Sequence, residues 1–276
     1  MTHRTLPLGS KGRWQCDNFP WVVKRMEAYV MVLRPVKATQ YLMCYSYRRR
    51  GGAVFSTNIN ILVGDTQMRR YEVKTHSQNG EDGIINHIFS KIHTTNKIAV
   101  EFGVSAGGGG LETNTRRLAE EGWSVFWFDY DDASNLPPNC VFTKEFITAS
   151  NAASAFAQAN IPTEFDLLSI DIDSNDYHVR AALNMYSPRV YVIEYNGNYP
   201  GHLEYVMPRD DNYKWKLWET NFGASLKSLV KQGDALGYDL VYCESRGVNA
   251  FFVRKDINPF PVKTAEEAYV KLWWAR

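Results

Sequence analysis

From about residue 75 onwards, short apolar runs alternate with longer amphipathic stretches. Short apolar runs indicate buried strands, and longer stretches with a repeating apolar face indicate helices. Strands are predicted at 97–102, 124–129, 140–143, 165–171 and 190–195, and helices at 81–93, 111–121, 150–159, 176–185 and 222–236. Alternation of this kind is typical of an α/β fold with a mainly parallel sheet.

The last two predicted strands break this alternation. Tyr238 to Cys243 and Asn249 to Phe252 are both apolar, and only the five residues 244–248 connect them. A link this short can join only antiparallel strands, because a parallel pair needs a crossover of a dozen or more residues. The pattern therefore predicts a mainly parallel sheet that ends in one antiparallel hairpin.

A glycine-rich run follows the first predicted strand of this region. It begins at Gly103 and continues through Ser105 and Gly107 to Gly110, directly before a predicted helix. Glycine allows positive φ and lets a ligand approach the backbone closely. The order strand, glycine loop, helix is typical of the opening of a nucleotide-type site. The alternative is a flexible turn with no ligand.

Acidic residues follow three of the predicted strands. Asp129 ends the second strand, about 20 residues or somewhat more after the glycine loop. An acid at this position can accept hydrogen bonds from a ribose diol. Asp171 ends the strand at 165–171 and Asp173 comes just after it, while Glu194 lies near the end of the strand at 190–195 and Asn196 just after it. Since parallel sheets bind ligands beyond the carboxyl ends of their strands, we expect these side chains near one site. The alternative for Asp129 is a solvated acidic turn.

The oxygen ligands at these strand ends suit a hard cation. Asp171, Asp173, Glu194 and Asn196 offer only carboxylate and amide oxygens, which favour Mg²⁺ over zinc. The competing interpretation is that Asp171 and Asp173 orient loop backbones and bind no metal. His178 lies just past this cluster and is a candidate general base, or else a polar surface residue.

Several blocks of the chain resemble a known family. They are Ser77 to Ile85, Val100 to Gly103, Asn114 to Arg116, Leu168 to Tyr177, Pro188 to Asn196, Gly223 to Leu226 and Asn249 to Val253. Together they resemble class I S-adenosylmethionine-dependent methyltransferases, and more narrowly the FkbM-like methyltransferases and their uncharacterised relatives. The resemblance spans roughly residues 75 to 255, with Ser174 where glycine is expected.

The resemblance implies a Rossmann-like methyltransferase fold and S-adenosylmethionine as cofactor, with Mg²⁺ as a second candidate. It implies that Gln78, Glu81, Glu101, Asn114 and Asp171 join the glycine loop and Asp129 in binding the cofactor. A purely structural alternative for the block at 77–83 is a helix cap. From the chemistry of the strand ends, we expect Asp171, Asp173 and Glu194 to be the catalytic residues, with His178 as the candidate base.

The reaction that we expect is O-methylation of a hydroxyl on a sugar or another small molecule. The position at the end of the strand at 165–171 carries Asp-Ile-Asp-Ser instead of the Asn-Pro-Pro-Tyr or Asp-Pro-Pro-Tyr of adenine- and glutamine-type N-methyltransferases. The chain also has no Pro-Cys nucleophile of the kind that cytosine C5-methyltransferases use. Two other classes remain open. One is a metal-dependent glycosyltransferase with Asp171-Ile172-Asp173 as its Asp-x-Asp motif, and the other is a catalytically silent methyltransferase-like binding subunit.

The first 74 residues differ from the rest in charge. Residues 1–75 contain thirteen Lys or Arg and four Asp or Glu, whereas the remainder contains eighteen and twenty-six. We therefore predict a basic N-terminal extension at 1–74 and a catalytic domain at 75–276. The extension could contact an acidic partner or a membrane surface. The overall charge of +1 makes nucleic acid an unfavoured partner without excluding it. The alternative is an accessory helix or hairpin with its basic face in water.

The composition is that of an ordinary globular protein, with 45% hydrophobic and 22% charged residues. The longest apolar stretches are interrupted by charges, so no membrane span is expected. The four cysteines show neither zinc-site spacing nor a disulfide framework, which favours a reducing, cytoplasmic location. The sequence carries no signal for the oligomeric state or for which sugar or small molecule is the acceptor.

Overall fold

The computed structural model describes residues 23–26, 29–37, 40–48, 54–62 and 66–272, except 105–111, 134 and 217–218. Side chains are described from Met68 onwards. By its contacts the chain divides into two compact units, Met1–Thr66 and Gln67–Arg276. Each unit has a sheet of its own.

The described part of the first unit is a four-stranded antiparallel sheet. Its strands follow one another in space as they do in the chain, in the order β1-β2-β3-β4. Their bounds are β1 Val23–Met26, β2 Tyr29–Lys37, β3 Gln40–Arg48 and β4 Val54–Leu62. The register places Tyr29 opposite Tyr47 and Cys44 opposite Asn58. A meander of this kind is larger than the helix or hairpin considered above for the extension.

The second unit alternates helices and strands. Its first half comprises α1 Thr66–Arg69, α2 Glu81–Ile92, β5 Ile98–Phe102, α3 Arg116–Glu120, β6 Ser124–Asp129, β7 Cys140–Lys144 and α4 Ala152–Gln158. Its second half comprises β8 Glu164–Ile170, α5 Asp176–Ala182, β9 Ser187–Glu194, α6 Leu226–Ala235, β10 Tyr238–Cys243, β11 Asn249–Arg254 and α7 Ala265–Ala268. Among the described residues, no helix is both long and apolar enough to cross a membrane.

Seven strands of this unit form one sheet in the order β10-β11-β9-β8-β5-β6-β7. The five strands from β9 to β7 are parallel. β11 pairs antiparallel with both β9 and β10. The chain runs outward from β5 through β6 to β7 and then returns to β8 on the other side of β5. This is a Rossmann-like α/β sheet with a C-terminal antiparallel hairpin, and the predicted fold class is confirmed.

Helices cover the two faces of the sheet and close two apolar cores. On one face, Ile84, Ile88 and Leu118 from α2 and α3 pack against the sheet. On the other face, Phe156 of α4, Val179 of α5 and other apolar residues of α4 to α6 do the same. Because both faces are buried, the parallel strands are apolar almost throughout, as parallel sheets generally are. Polar side chains are thereby displaced to the strand ends.

The contacts divide the two units earlier in the chain than the predicted boundary after residue 74. Met68 is buried in the core beneath α2. The ring of Tyr71 stacks on His87 at a centroid distance of 3.6 Å. Glu72 accepts hydrogen bonds from the Tyr242 hydroxyl and from the backbone N–H of Ser245. The segment from residue 67 to residue 74 therefore packs with the second unit.

The predicted elements differ from the observed ones mainly at helix ends. α3 begins at Arg116 rather than near residue 111, because the backbone N–H groups of Asn114 and Thr115 are bonded to the Glu101 carboxylate. α6 begins at Leu226, since the Ser225 side chain caps it by accepting a bond from the N–H of Ser228. These bonds decide where each helix starts.

Candidate functional site

A cavity of about 500 Å³ opens at the carboxyl edge of the parallel strands. Its volume is in the range that small-molecule and cofactor sites occupy. Residues at or just after the carboxyl ends of β5, β6, β7, β8 and β9 line it, together with Gln78, Glu112 and Val248. They are Gly103, Phe128 to Asp131, Glu145 to Ile147, Asp171 to Ser174, and Glu194.

The cavity lies where the strand order reverses, between β5 and β8. Gly103 follows β5 with a φ of 73°. A Cβ atom built on Gly103 would lie 1.6 Å from the backbone oxygen of Asp171, which follows β8. Only glycine permits this approach of the two strand ends. Open α/β sheets bind their ligands at this kind of switch point.

Asp171, Asp173 and Glu194 meet in this cavity. Each offers one carboxylate oxygen, and the three oxygens lie within 4.8 Å of one another. Asp171 and Asp173 are open to the cavity, whereas Glu194 is buried. Buried Oε2 of Glu194 has no hydrogen-bond partner among the described residues. A buried carboxylate oxygen without a donor is costly, so this position favours a cation.

The electrostatics of the cluster are dominated by like charges. Burial raises the pKa of Asp171 well above its usual range, and the neighbouring Asp173 and Asp176 raise it further. Burial also raises the pKa of Glu194, and Asp171 is the first of the charged neighbours that raise it further. All of the charged contributors named for these two groups are carboxylates. Three carboxylates this close cannot all ionise freely unless a cation offsets them.

Asp176, at the start of α5, holds the loop that carries the two aspartates. Its carboxylate accepts bonds from the N–H of Ile172 at 2.9 Å and of Ser174 at 3.0 Å. Burial raises the pKa of Asp176 to about 7 despite these donors. The two bonds flank Asp173, whose φ of 55° is left-handed. Asp176, the last residue of the Asp-Ile-Asp-Ser-Asn-Asp block, is therefore a positioning residue for the cluster.

Asp129 lies at the end of β6 and lines the cavity. Its Oδ1 accepts a bond from the N–H of Asp131 at 3.0 Å, and burial raises the pKa of its carboxyl. Beside it, the Tyr130 ring packs edge-on against Phe146 at a centroid distance of 5.9 Å. An aromatic wall next to a carboxylate suits a ligand with a flat ring and a diol.

The block before α2 contributes one residue to the cavity lining. Gln78 lines the cavity, whereas Glu81 is fully buried and does not. The Glu81 carboxylate accepts bonds from the N–H of Asn79 at 2.7 Å and from Nδ2 of Asn249 at 3.0 Å. Glu81 thus ties the start of α2 to β11.

Glu101 and Asn114 are engaged in hydrogen bonds outside the cavity lining. Glu101 accepts bonds from the backbone N–H of Asn114 and of Thr115, and from the Thr115 hydroxyl. Burial raises the pKa of Glu101 to about 7. Nδ2 of Asn114 donates to Oγ of Ser169 at 3.0 Å. Neither Glu101 nor Asn114 lines the cavity. Ser105 and Gly107, the other predicted cofactor contacts, lie outside the described residues.

Two predicted residues are engaged elsewhere. Nε2 of His178 is hydrogen-bonded to the backbone oxygen of Met207 at 2.9 Å. The Asn196 amide donates to the backbone oxygens of Thr220 and Phe222, and its Oδ1 accepts from Asn198. Neither side chain lines the cavity. The structure therefore brings Asp171, Asp173 and Glu194 together without Asn196 or His178.

Some cavity residues were not predicted from the sequence. Glu145, Phe146 and Ile147 follow β7, and Val248 lies in the link between β10 and β11. The rule that placed Asp129 at the carboxyl edge applies equally to the residues after β7, so the signal for Glu145 was present. Val248 had no such signal, because it belongs to an antiparallel hairpin.

Comparison with known proteins gives only distant structural similarity. No protein-family model matches the chain, and no curated protein matches it. Among solved structures, the chain aligns with the MycE methyltransferase from the mycinamycin biosynthetic pathway, in complex with Mg and SAH. The identity is 15% and the TM-score 0.33. The alignment covers 79% of this chain and 65% of the other, so the chain spans less than two thirds of that methyltransferase. The FkbM-like resemblance stays a prediction.

Proposed function

We propose that this protein is an S-adenosylmethionine-dependent O-methyltransferase that uses a divalent cation and acts on a hydroxyl of a sugar or another small molecule. One observation carries the proposal. A carboxylate triad, Asp171, Asp173 and Glu194, shares a single cavity with Gly103 and Asp129 at the switch point of a Rossmann-like sheet. The cavity thus combines a cation site with the elements that a nucleoside requires.

The residues present fit the proposed cofactor. Asp129 is placed to accept hydrogen bonds from a ribose diol, and Tyr130 and Phe146 supply an aromatic wall beside it. The close approach of Gly103 to Asp171 leaves no side chain between the two strand ends. When bound, the cofactor supplies a methyl group already activated on a sulfonium.

The carboxylate triad in the same cavity fits Mg²⁺. Asp171, Asp173 and Glu194 provide only oxygen ligands, and Oε2 of Glu194 lacks any donor among the described residues. A hard cation with this ligand set orients a hydroxyl and lowers its pKa.

Little covalent chemistry is left for the chain itself. The cavity has to align the acceptor oxygen with the methyl carbon and to take up the hydroxyl proton. Its carboxylates can accept that proton, and Asp176 keeps two of them in place through the N–H groups of Ile172 and Ser174. The acidic lining is thus suited to a hydroxyl acceptor.

The glycosyltransferase alternative fits the cavity less well. A sugar nucleotide carries a diphosphate, which is usually bound by Lys, Arg or backbone N–H groups. Among the described lining residues, none is Lys, Arg or His, and seven are Asp or Glu. One divalent cation would have to offset both the diphosphate and these carboxylates.

The test combines binding with turnover. We expect thermal shifts with S-adenosylmethionine and S-adenosylhomocysteine, and no shift with UDP-sugars, each measured with and without Mg²⁺. Radiolabelled methyl transfer to a panel of sugars and small-molecule alcohols then identifies the acceptor class. Stabilisation by UDP-sugars alone would contradict the proposal. Cofactor binding without transfer to any acceptor would favour a catalytically silent binding subunit.

A further inference from the structure

The cavity lining carries charges of one sign. Seven of its residues are acidic: Glu112, Asp129, Asp131, Glu145, Asp171, Asp173 and Glu194. No described lining residue is basic. The ammonium of Lys214 lies outside the lining, 4.9 Å from the centroid of the Tyr130 ring and 5.4 Å from that of Phe146. A cleft lined by charges of one sign concentrates its field and raises the local concentration of oppositely charged ligands.

A second observation shows that this lining lacks a positive partner. Glu194 is 5% exposed, and its Oε2 has no hydrogen-bond partner among the described residues. A divalent cation at Asp171, Asp173 and Glu194 offsets two negative charges. Four further carboxylates, Glu112, Asp129, Asp131 and Glu145, still face the same space. Positive charge on a bound ligand is therefore favoured even when the cation site is filled.

The proposed reaction changes the charge of the bound nucleoside. A lone pair of the acceptor oxygen forms the new C–O bond, the C–S bond breaks, and its electron pair stays on sulfur. The sulfonium thereby becomes a neutral thioether, and the hydroxyl proton passes to a cavity carboxylate and then to water. The positive charge moves from a large ligand to a proton that leaves freely.

Resting on the proposed function, we infer that the acidic cavity distinguishes cofactor from product by charge. It binds S-adenosylmethionine more tightly than S-adenosylhomocysteine, and the loss of charge on sulfur promotes product release. The carboxylates that are neither cation ligands nor ribose contacts have this role. Asp131 and Glu145 are the two that lie beside the aromatic wall.

Calorimetry on the full chain with saturating Mg²⁺ tests this inference. We expect S-adenosylmethionine, and a nonreactive analogue with an ammonium in place of the methylsulfonium, to bind about tenfold more tightly than S-adenosylhomocysteine. Added salt should narrow the difference in affinity by weakening the binding of the two charged ligands, since salt screens exposed carboxylates. Equal or tighter binding of S-adenosylhomocysteine overturns the inference and leaves the proposed function intact. Binding of neither nucleoside overturns both.

Neutralising single carboxylates supplies the matched comparison. Asp131→Asn and Glu145→Gln should each weaken S-adenosylmethionine binding about threefold and leave S-adenosylhomocysteine binding unchanged. Asp132→Asn is the control, because Asp132 neighbours Asp131, does not line the cavity and pairs with Lys144 at 2.8 Å. An equal loss in all three variants would show an effect of net charge alone and would overturn the inference.

Discussion

Asp166, near the start of strand β8, and Asp171, directly after its end, have opposite environments. Asp166, near the start, is fully buried. It accepts bonds from the backbone N–H groups of Thr95, Asn96 and Lys97 and pairs with Arg189 at 3.1 Å. Asp171, after the end, lies among other carboxylates, and burial raises its pKa well above its usual range.

The difference separates a carboxylate whose partners lie within the fold from one that we propose to bind a ligand. Every buried polar group needs partners, and Asp166 obtains them within the protein. Arg189 also donates to the backbone oxygens of Ile92 and His93, so this ion pair joins β8 and β9 to the end of α2. In the cluster around Asp171, Oε2 of Glu194 has no such donor among the described residues, and we propose that a bound cation is its partner. The two edges of one sheet thus have different tasks.

The largest effect that we expect is a loss of stability at the start of β8, where Asp166 has its hydrogen-bond partners. Asp166→Ala should lower the free energy of unfolding by about 3–5 kcal/mol, because it leaves Arg189 buried without its carboxylate partner. Urea unfolding measures the change. Asp171→Asn is the matched control at the other end of the strand and should cost almost nothing or stabilise the fold, since it removes like-charge repulsion. A small loss for Asp166→Ala would remove the distinction between the edges.

Glu101 sharpens the comparison, since it has donors like Asp166 and a raised pKa like Asp171. Its pKa in the folded state is about 7, above the ordinary value of 4.5. Between these values the unfolded chain releases the proton and the folded chain keeps it. Stability should therefore fall as pH rises through this window, by about 3 kcal/mol from this group, and level off above it.

Urea unfolding at pH 5 and pH 8 checks this expectation by comparing the wild-type chain with Glu101→Gln. The variant should lose less stability over the same window, because its side chain does not titrate. Identical pH dependence in the two proteins would show that Glu101 is ionised in the fold at both pH values.

The third prediction concerns the carboxylates at the carboxyl edge of the sheet and is tested by measuring activity. Asp171→Asn should lower the rate of methyl transfer about 100-fold while changing cofactor affinity far less, because the group acts on the transition state. A chelator should abolish wild-type turnover and leave cofactor binding largely intact. Asp132→Asn, outside the cavity, serves as the control. Full activity of both Asp171→Asn and Glu194→Gln on a confirmed acceptor would contradict the proposed site.

The smallest expected effect is at the ribose position. Asp129→Ala should weaken S-adenosylhomocysteine binding by about 1.5–3 kcal/mol, which is typical of lost hydrogen bonds to a charged group. Calorimetry measures the change, and Asp131→Asn is the control with its carboxylate two residues away. Unchanged affinity in a folded Asp129→Ala protein would remove Asp129 from the nucleoside contacts.

The sequence by itself determined the strand and helix order of the second unit. Apolar runs and amphipathic stretches are local patterns, and the short link at 244–248 allowed only an antiparallel hairpin. Asp129, Asp171, Asp173 and Glu194 were also predictable, because each follows an apolar run and parallel strands place their carboxyl ends at one edge.

Only the tertiary structure decided which polar residues near this edge face the cavity. Asn196 lies two residues after Glu194, yet its amide is used by the backbone of Thr220 and Phe222. Glu101 lies close to Gly103 in sequence, yet it accepts hydrogen bonds from residues 114 and 115 and does not line the cavity. Local pattern places a residue on an element, whereas its hydrogen-bond partners come from distant parts of the chain. Those partners are fixed only when the elements pack, and they separate the carboxylates that are bonded within the fold from those that line the cavity.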